Sequence, residues 1–243
     1  RQGYVHLLPV QKKRTLDPGD SKEMVAARQR FLNAGFYTQI AEAVSDLALK
    51  ALPGGGIGSV LDAGSGEGYY LRHLSAVAGD TGLALIGVDI SKWAVLAAAK
   101  QDKQTRWVVG SNANLPVLPE SLDLVLCLFG FPVYSEFARV LKPGGQVIQV
   151  DAGADHLREL REVIYPEVKP PGDFESAAPE GFRQLDSTVV RFPLTLPDQA
   201  SIADLLAMTP HLYRASAEGL ERAAALESLE VTVDATLKRF EKL

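Results

Sequence analysis

The run Val60-Leu61-Asp62-Ala63-Gly64-Ser65-Gly66-Glu67-Gly68 constrains this chain more than any other. A short apolar stretch leads into an acidic residue, and three glycines then alternate before a helical pattern begins at Tyr69. Glycine is demanded where a backbone turns sharply, or where it approaches a ligand that a Cβ would block. The dinucleotide fingerprint spaces its glycines Gly-x-Gly-x-x-Gly. The tighter Gly-x-Gly-x-Gly here argues against a nicotinamide oxidoreductase. It suits an adenosyl amino acid, which has no pyrophosphate to seat at the helix N-terminus.

The surroundings strengthen that reading. Ser59–Asp62, Leu83–Val88, Arg106–Val109, Leu122–Leu128 and Gln146–Val150 are apolar runs of strand length, and Tyr69–Val77, Lys92–Lys100 and Ser135–Leu141 read as the helices between them. Strands alternating with helices form βαβ units and a mostly parallel sheet. The second strand ends in Gly87-Val88-Asp89-Ile90-Ser91, where an acidic side chain can accept both ribose hydroxyls. Ser111-Asn112 follows the third strand, within reach of an adenine edge, and Leu141-Lys142-Pro143-Gly144-Gly145 turns into the fifth. Asp62, Gly64, Gly66, Gly68, Asp89, Ser111 and Asn112 are therefore candidate contacts for S-adenosylmethionine. The expected fold is α/β: a doubly wound, mostly parallel, seven-stranded-type sheet of the class I S-adenosylmethionine-dependent methyltransferases, with an N-terminal helical extension.

That extension begins as an extended arm ending in the turn Asp17-Pro18-Gly19. Asp20 with Glu23 resembles a capping box for a helix carrying Met24, Ala27 and Phe31 and stopping near Gly35. A second helix places Tyr37, Ile40, Val44, Leu47 and Ala51 on one stripe. Beyond residue 150 the pattern predicts helices at Leu157–Ile164 and Ile202–Met208, a Pro-rich loop at 166–179, and strands at Ser187–Pro193 and Leu229–Val233.

The net charge of −5 argues weakly against nucleic acid, but its distribution does not. Residues 1–30 hold seven basic and three acidic residues, leaving the rest of the chain at −9. Lys12, Lys13 and Arg14 form a basic arm suited to phosphates. The single cysteine, Cys127, makes no internal disulfide, which with the absence of a signal peptide or a long apolar run points to the cytoplasm and away from membranes. A chain opening on Arg1 rather than Met reads as a fragment.

Beyond the generic motifs, Tyr4-Val5-His6-Leu7-Leu8-Pro9-Val10-Gln11, Asp17-Pro18-Gly19-Asp20-Ser21, Gly66-Glu67-Gly68-Tyr69-Tyr70 and Met208-Thr209-Pro210 resemble the bacterial 23S rRNA (guanine-N1)-methyltransferases, from about residue 3 to 215. The resemblance implies 23S rRNA as partner and Tyr37, Gly66, Glu67 and His156 as cofactor contacts. A zinc ribbon precedes the Tyr-Val-x-Leu-Leu-Pro segment in that family, so zinc is expected only if such a ribbon lies before Arg1; no metal site is expected within the chain. Gly130-Phe131-Pro132-Val133 stands where the family carries an Ala-Pro-Cys-like segment. Asp17, Asp20 and His156 are the candidates for a catalytic base, and a homodimer is an open expectation. Residues 1–35 are read as an arm and helix contacting RNA, and 36–243 as the methyltransferase domain. A small-molecule methyltransferase and a non-catalytic cofactor-binding protein are the rival readings.

Overall fold

The computed structural model describes residues 2–8, 18–53, 57–79, 82–168 and 177–243. The chain begins with β1 (Tyr4–His6), α1 (Lys22–Asn33) and α2 (Thr38–Ala51). β2 (Ser59–Ala63), α3 (Tyr69–Ala78), β3 (Ala84–Asp89), α4 (Lys92–Gln101), β4 (Arg106–Val109) and β5 (Leu122–Leu128) follow. Next come α5 (Tyr134–Val140), β6 (Leu141–Ala152), α6 (Arg158–Ile164) and β7 (Phe182–Leu196). The chain closes with α7 (Gln199–Ala207), α8 (His211–Arg214), α9 (Ala217–Ala224) and β8 (Leu229–Lys242).

The strands form one sheet in the order β1-β4-β3-β2-β5-β6-β8-β7. β1 to β6 pair in parallel, and β8 runs antiparallel to both β6 and β7. The chain order reverses between β2 and β5, which opens a crevice at the carboxyl ends of the central strands, where open α/β sheets bind ligands. Every residue of β5 is buried. Because side chains alternate across a strand, the sheet separates two cores. Val60, Leu124, Leu126 and Ile148 point into one, with Phe31, Ile40, Val44, Leu71 and Leu205 from the helices. Leu61, Val125, Cys127 and Val147 point into the other, with Phe137 and Val140 of α5.

Three features depart from the sequence expectation. The start of the N-terminal arm is paired rather than free: Tyr4, Val5 and His6 extend the sheet beside Trp107, Val108 and Val109, and Leu8 is buried. α1 is capped by Ser21, whose Oγ accepts the Met24 N–H at 3.3 Å, and not by Asp20, whose carboxylate is engaged elsewhere. β7 and β8 are long antiparallel partners from Phe182↔Lys242 to Leu196↔Leu229, far beyond the predicted segments.

Candidate active site

The loop after β2 is a backbone cradle. Gly64, Gly66 and Gly68 have φ of 97°, 55° and 84°, a region that side chains disfavour. The N–H groups of Gly64 and Ser65 both donate to the Val88 carbonyl, at 2.8 and 3.0 Å, knitting the loop to the end of β3. The glycines nevertheless do different work. A Cβ on Gly64 would meet nothing nearer than Asn112 Nδ2 at 4.0 Å, and one on Gly66 nothing nearer than Arg28 at 3.8 Å. Neither position is closed off by the fold. A Cβ on Gly68 would instead fall closer than 3.0 Å to the indole of Trp107, and so would one on Gly87. Gly68 is therefore fixed by the packing of Trp107, which is buried beneath the loop with its Nε1–H donated to Asp102 at 3.0 Å.

Two carboxylates organise the cradle. Asp89 accepts the Gly66 N–H at 2.9 Å and the Ser91 N–H at 2.7 Å, bracing the loop against the start of α4. Burial raises its pKa above the usual carboxylate range despite these donors. Asp62 Oδ1 and Ser65 Oγ are buried with no hydrogen-bond partner among the described residues. Burial, reinforced by Asp89, pushes the Asp62 carboxyl up to about 8. A buried carboxyl without a donor is costly unless a cation or donor meets it. The open glycines and this unpaired acid fit an adenosyl amino acid, which brings an ammonium and a sulfonium.

A wall rises over the β3 side from distant parts of the chain. Gly19, at φ 83°, packs so tightly on Ile90 and Ser91 that a Cβ would clash with them. Ser91 Oγ donates to the Asp20 carbonyl at 2.7 Å. Arg28 pairs with the Asp20 carboxylate and donates through Nη2 to the Met208 carbonyl at 2.9 Å. One guanidinium thus ties Asp20 to Met208 beside Gly66.

An aromatic cluster lies at the ends of β5 and β6. Phe129 stacks on His156 with ring centroids 5.8 Å apart, and Tyr37 lies 6.3 Å from Phe129. Phe129 and Leu157 both have φ of 53°, a strained geometry for bulky residues that concentrates at functional sites. His156 Nδ1 accepts the Asp234 N–H at 3.2 Å, so its proton resides on Nε2, which is 3.3 Å from the Tyr37 hydroxyl. Nε2–H donates to Tyr37 and leaves the phenolic O–H free for another partner. Burial depresses His156 to about 4, and burial likewise raises Tyr37. His156 is neutral at pH 7, and its Nδ1 lone pair is engaged by the Asp234 N–H.

Of the residues singled out in the sequence, Asp62, Gly64, Gly66, Asp89 and Asn112 gather at the cradle, with Tyr37 and His156 in the aromatic cluster. Ser111 shapes the adjoining turn, its Oγ accepting the Ala113 N–H at 3.2 Å. Glu67 turns its buried carboxylate away, to Arg72 at 3.0 Å and Gln101 at 2.6 Å, where it holds α3 to α4. Lys12, Lys13, Arg14 and Asp17 lie outside the described residues. Sequence reasoning missed Arg28 and Asp234: a basic residue on a half-exposed helix and an acid in a late strand carry no local motif. It also missed Tyr70, whose hydroxyl burial and the nearby Tyr37, Tyr69 and Asp62 push to high pKa.

The fold and this cradle define a class I S-adenosylmethionine-dependent methyltransferase. Residues 60–145 match the methyltransferase domain family. The YcgJ protein from Bacillus subtilis shares the fold, at TM-score 0.50 and 21% identity over 83% of this chain and 98% of its own. The "Putative 23S rRNA (guanine-N(1)-)-methyltransferase YxjB" of Bacillus subtilis (strain 168) is 32% identical over 96% of this chain and 83% of its own length. The chain belongs to the 23S rRNA (guanine-N(1)-)-methyltransferase family. The "23S rRNA (guanine(748)-N(1))-methyltransferase" of Streptomyces fradiae is 34% identical over 68% of this chain, which spans 57% of that relative's length.

Proposed function

We propose that this protein transfers the methyl group of S-adenosylmethionine to N1 of a guanine in 23S rRNA. The observation that carries the reading is the Arg28 bridge: it binds Asp20 and Met208, from two of the segments that resemble the rRNA family, into the wall of the cofactor cradle. The cofactor supplies a methyl carbon already made electrophilic by the adjoining sulfonium. The protein's work is to hold, align and desolvate. Asp62 provides the buried negative charge for a cationic ligand, and Asp89 fixes the glycine loop that approaches it. The faces of Phe129 and Tyr37 favour positive charge by roughly 0.5 to 2 kcal/mol each when desolvated. The free Tyr37 O–H is a donor beside the strained end of β5.

Guanine N1 carries a proton at neutral pH, and it leaves before or during transfer. Asp17, Asp20 and His156 are the proposed candidates for taking it, and the engagement of His156 Nδ1 by the Asp234 N–H weighs against His156. N1 lies on the pairing edge, so the base is unpaired or flipped when it reacts. Lys12, Lys13 and Arg14 are proposed to hold nearby phosphates, and a ribosomal substrate implies a cytoplasmic enzyme. No helix of the described residues is long and apolar enough to cross a membrane.

The test is methyl transfer from labelled cofactor to unmethylated 23S rRNA, with the labelled nucleotide mapped. Label at N1 of a single guanine supports the proposal. Cofactor binding with label entering a quinone-type small molecule, and none in RNA, overturns it.

A further inference from the structure

Eight of the twelve arginines among the described residues have a carboxylate within ion-pair distance. The exceptions are Arg106, Arg161, Arg214 and Arg222. In a chain of net charge −5, three of these four fall together on α6, α8 and α9. The carboxylates of α6 are spent elsewhere: Glu159 accepts from Thr232 N and Oγ1, both at 2.7 Å, and Glu162 pairs with Arg158 at 2.9 Å. Glu218 and Glu221 on α9 form no ion pair with the three arginines.

The cluster is built rather than scattered. Arg161 Nη1 donates to the carbonyls of Ala154 and His156, at 2.9 and 3.3 Å, which anchors its guanidinium to the loop that carries His156. Arg222 Nε donates to the Val163 carbonyl at 2.8 Å, drawing α9 to the end of α6. Between them, the Tyr165 hydroxyl meets His211 Nδ1 at 2.8 Å. Burial, then the charges of Arg161 and Arg214, hold His211 below its ordinary pKa, as expected where positive groups crowd without an anion. Tyr213, beside Arg214, is 70% exposed. Both supporting elements also issue from the active site. α6 starts two residues after His156, and α8 follows the Met208 segment that Arg28 holds at the cradle.

We infer that Arg161, Arg214 and Arg222, with His211, form a phosphate-binding site that grips the RNA backbone next to the base presented to the aromatic cluster. This rests on the RNA reading above. Guanidinium forks match phosphate oxygens, and each N–H not spent on a backbone carbonyl remains available to them. The exposed Tyr213 ring adds a stacking surface for an unpaired neighbouring base.

The experiment measures equilibrium binding of an unmethylated 23S rRNA transcript to the full chain as a function of salt, with S-adenosylhomocysteine affinity and methyl transfer followed in parallel. The variants are R214Q, the double variant R214Q/R222Q, and R106Q as a control at the opposite end of the strands. The Arg214 side chain is exposed and makes no hydrogen bond among the described residues, so its loss leaves the fold intact. In the double variant, RNA affinity is expected to fall about tenfold and the slope of log K against log salt to shrink by one to two. Cofactor affinity is expected to stay unchanged, and R106Q to match the parent. RNA binding and methylation by the parent, with the same affinity and slope in the double variant, overturns the site and leaves the rRNA reading standing. Failure of the parent to bind or methylate RNA overturns both.

Discussion

Arg28 Nη2 donates to the carbonyl of Met208 at 2.9 Å, across 180 residues of sequence. The same guanidinium pairs with Asp20, so one side chain fastens the N-terminal turn and the segment before α8 to the cofactor loop. Replacing Arg28 with Ala removes both contacts and leaves a half-buried carboxylate and a carbonyl without their donor, at a cost of about 1–3 kcal/mol. R28A is expected to lower the urea midpoint accordingly and weaken S-adenosylhomocysteine binding about tenfold by calorimetry. R28K keeps the charge but not the fork, so it should recover less than half of either loss. Unchanged cofactor affinity in R28A would remove Arg28 from the site.

The central fold was legible because strands buried on both faces read as continuous apolar runs: Val60–Leu61 and Leu122–Leu128 carry their own signal. Only the start of β8, Leu229–Val233, was legible, since past Val233 its residues alternate small, apolar and charged, and only pairing with β6 and β7 holds them extended. β1 is three residues long, too short for any period, and exists because the edge of β4 is there to receive it. At the site, Asp62, Gly64, Gly66 and Asp89 were legible as a linear motif. The separate duty of Gly68 was not, because Trp107 arrives from another strand. Nor was the acceptor role of His156 Nδ1, which depends on a backbone N–H 78 residues away.

Asp62 couples the cofactor to protons. Its carboxyl is pushed up to about 8 by burial and then by Asp89. A folded-state pKa above the unfolded value favours folding at low pH, and that stability is lost as pH rises from about 4 through about 8. A ligand ammonium placed against Asp62 favours the ionised form, so binding should release up to one proton near pH 7 and tighten as pH rises toward 8. Calorimetry with S-adenosylhomocysteine in buffers of different ionisation enthalpy measures the release directly. D62N is expected to abolish it, raise the melting temperature of the ligand-free protein at pH 8, and weaken binding at least tenfold. A binding enthalpy independent of buffer in the parent protein would contradict the coupling.

His156 supplies the opposite sign. Burial holds its pKa down to about 4, below the ordinary 6.5 of the unfolded chain. The stability it contributes is therefore complete above pH 6.5 and lost as pH falls toward 4, because unfolding takes up a proton. The urea midpoint of the parent relative to that of H156Q should therefore fall as pH drops from 6.5 to 4.5, and H156Q should have the lower midpoint at pH 8. Methyl transfer should show no inflection near pH 6.5 assignable to this residue. An inflection there that vanishes in H156Q would restore His156 as a base.

Phe129 separates strain from function. Its φ of 53° costs an aromatic residue about 1–2 kcal/mol, and glycine almost nothing. Its ring, stacked on His156 and near Tyr37, is the counterweight. F129A loses the ring and keeps the strain, whereas F129G loses both. If the left-handed backbone is enforced by its neighbours, F129G should be more stable than F129A by about 1 kcal/mol in urea unfolding, while both lose most methyl transfer through the missing ring. Equal stability would mean that the loop relaxes once the side chain is gone. Activity kept in F129G but not in F129A would mean that the backbone at the end of β5, and not the aromatic face, is what the reaction requires.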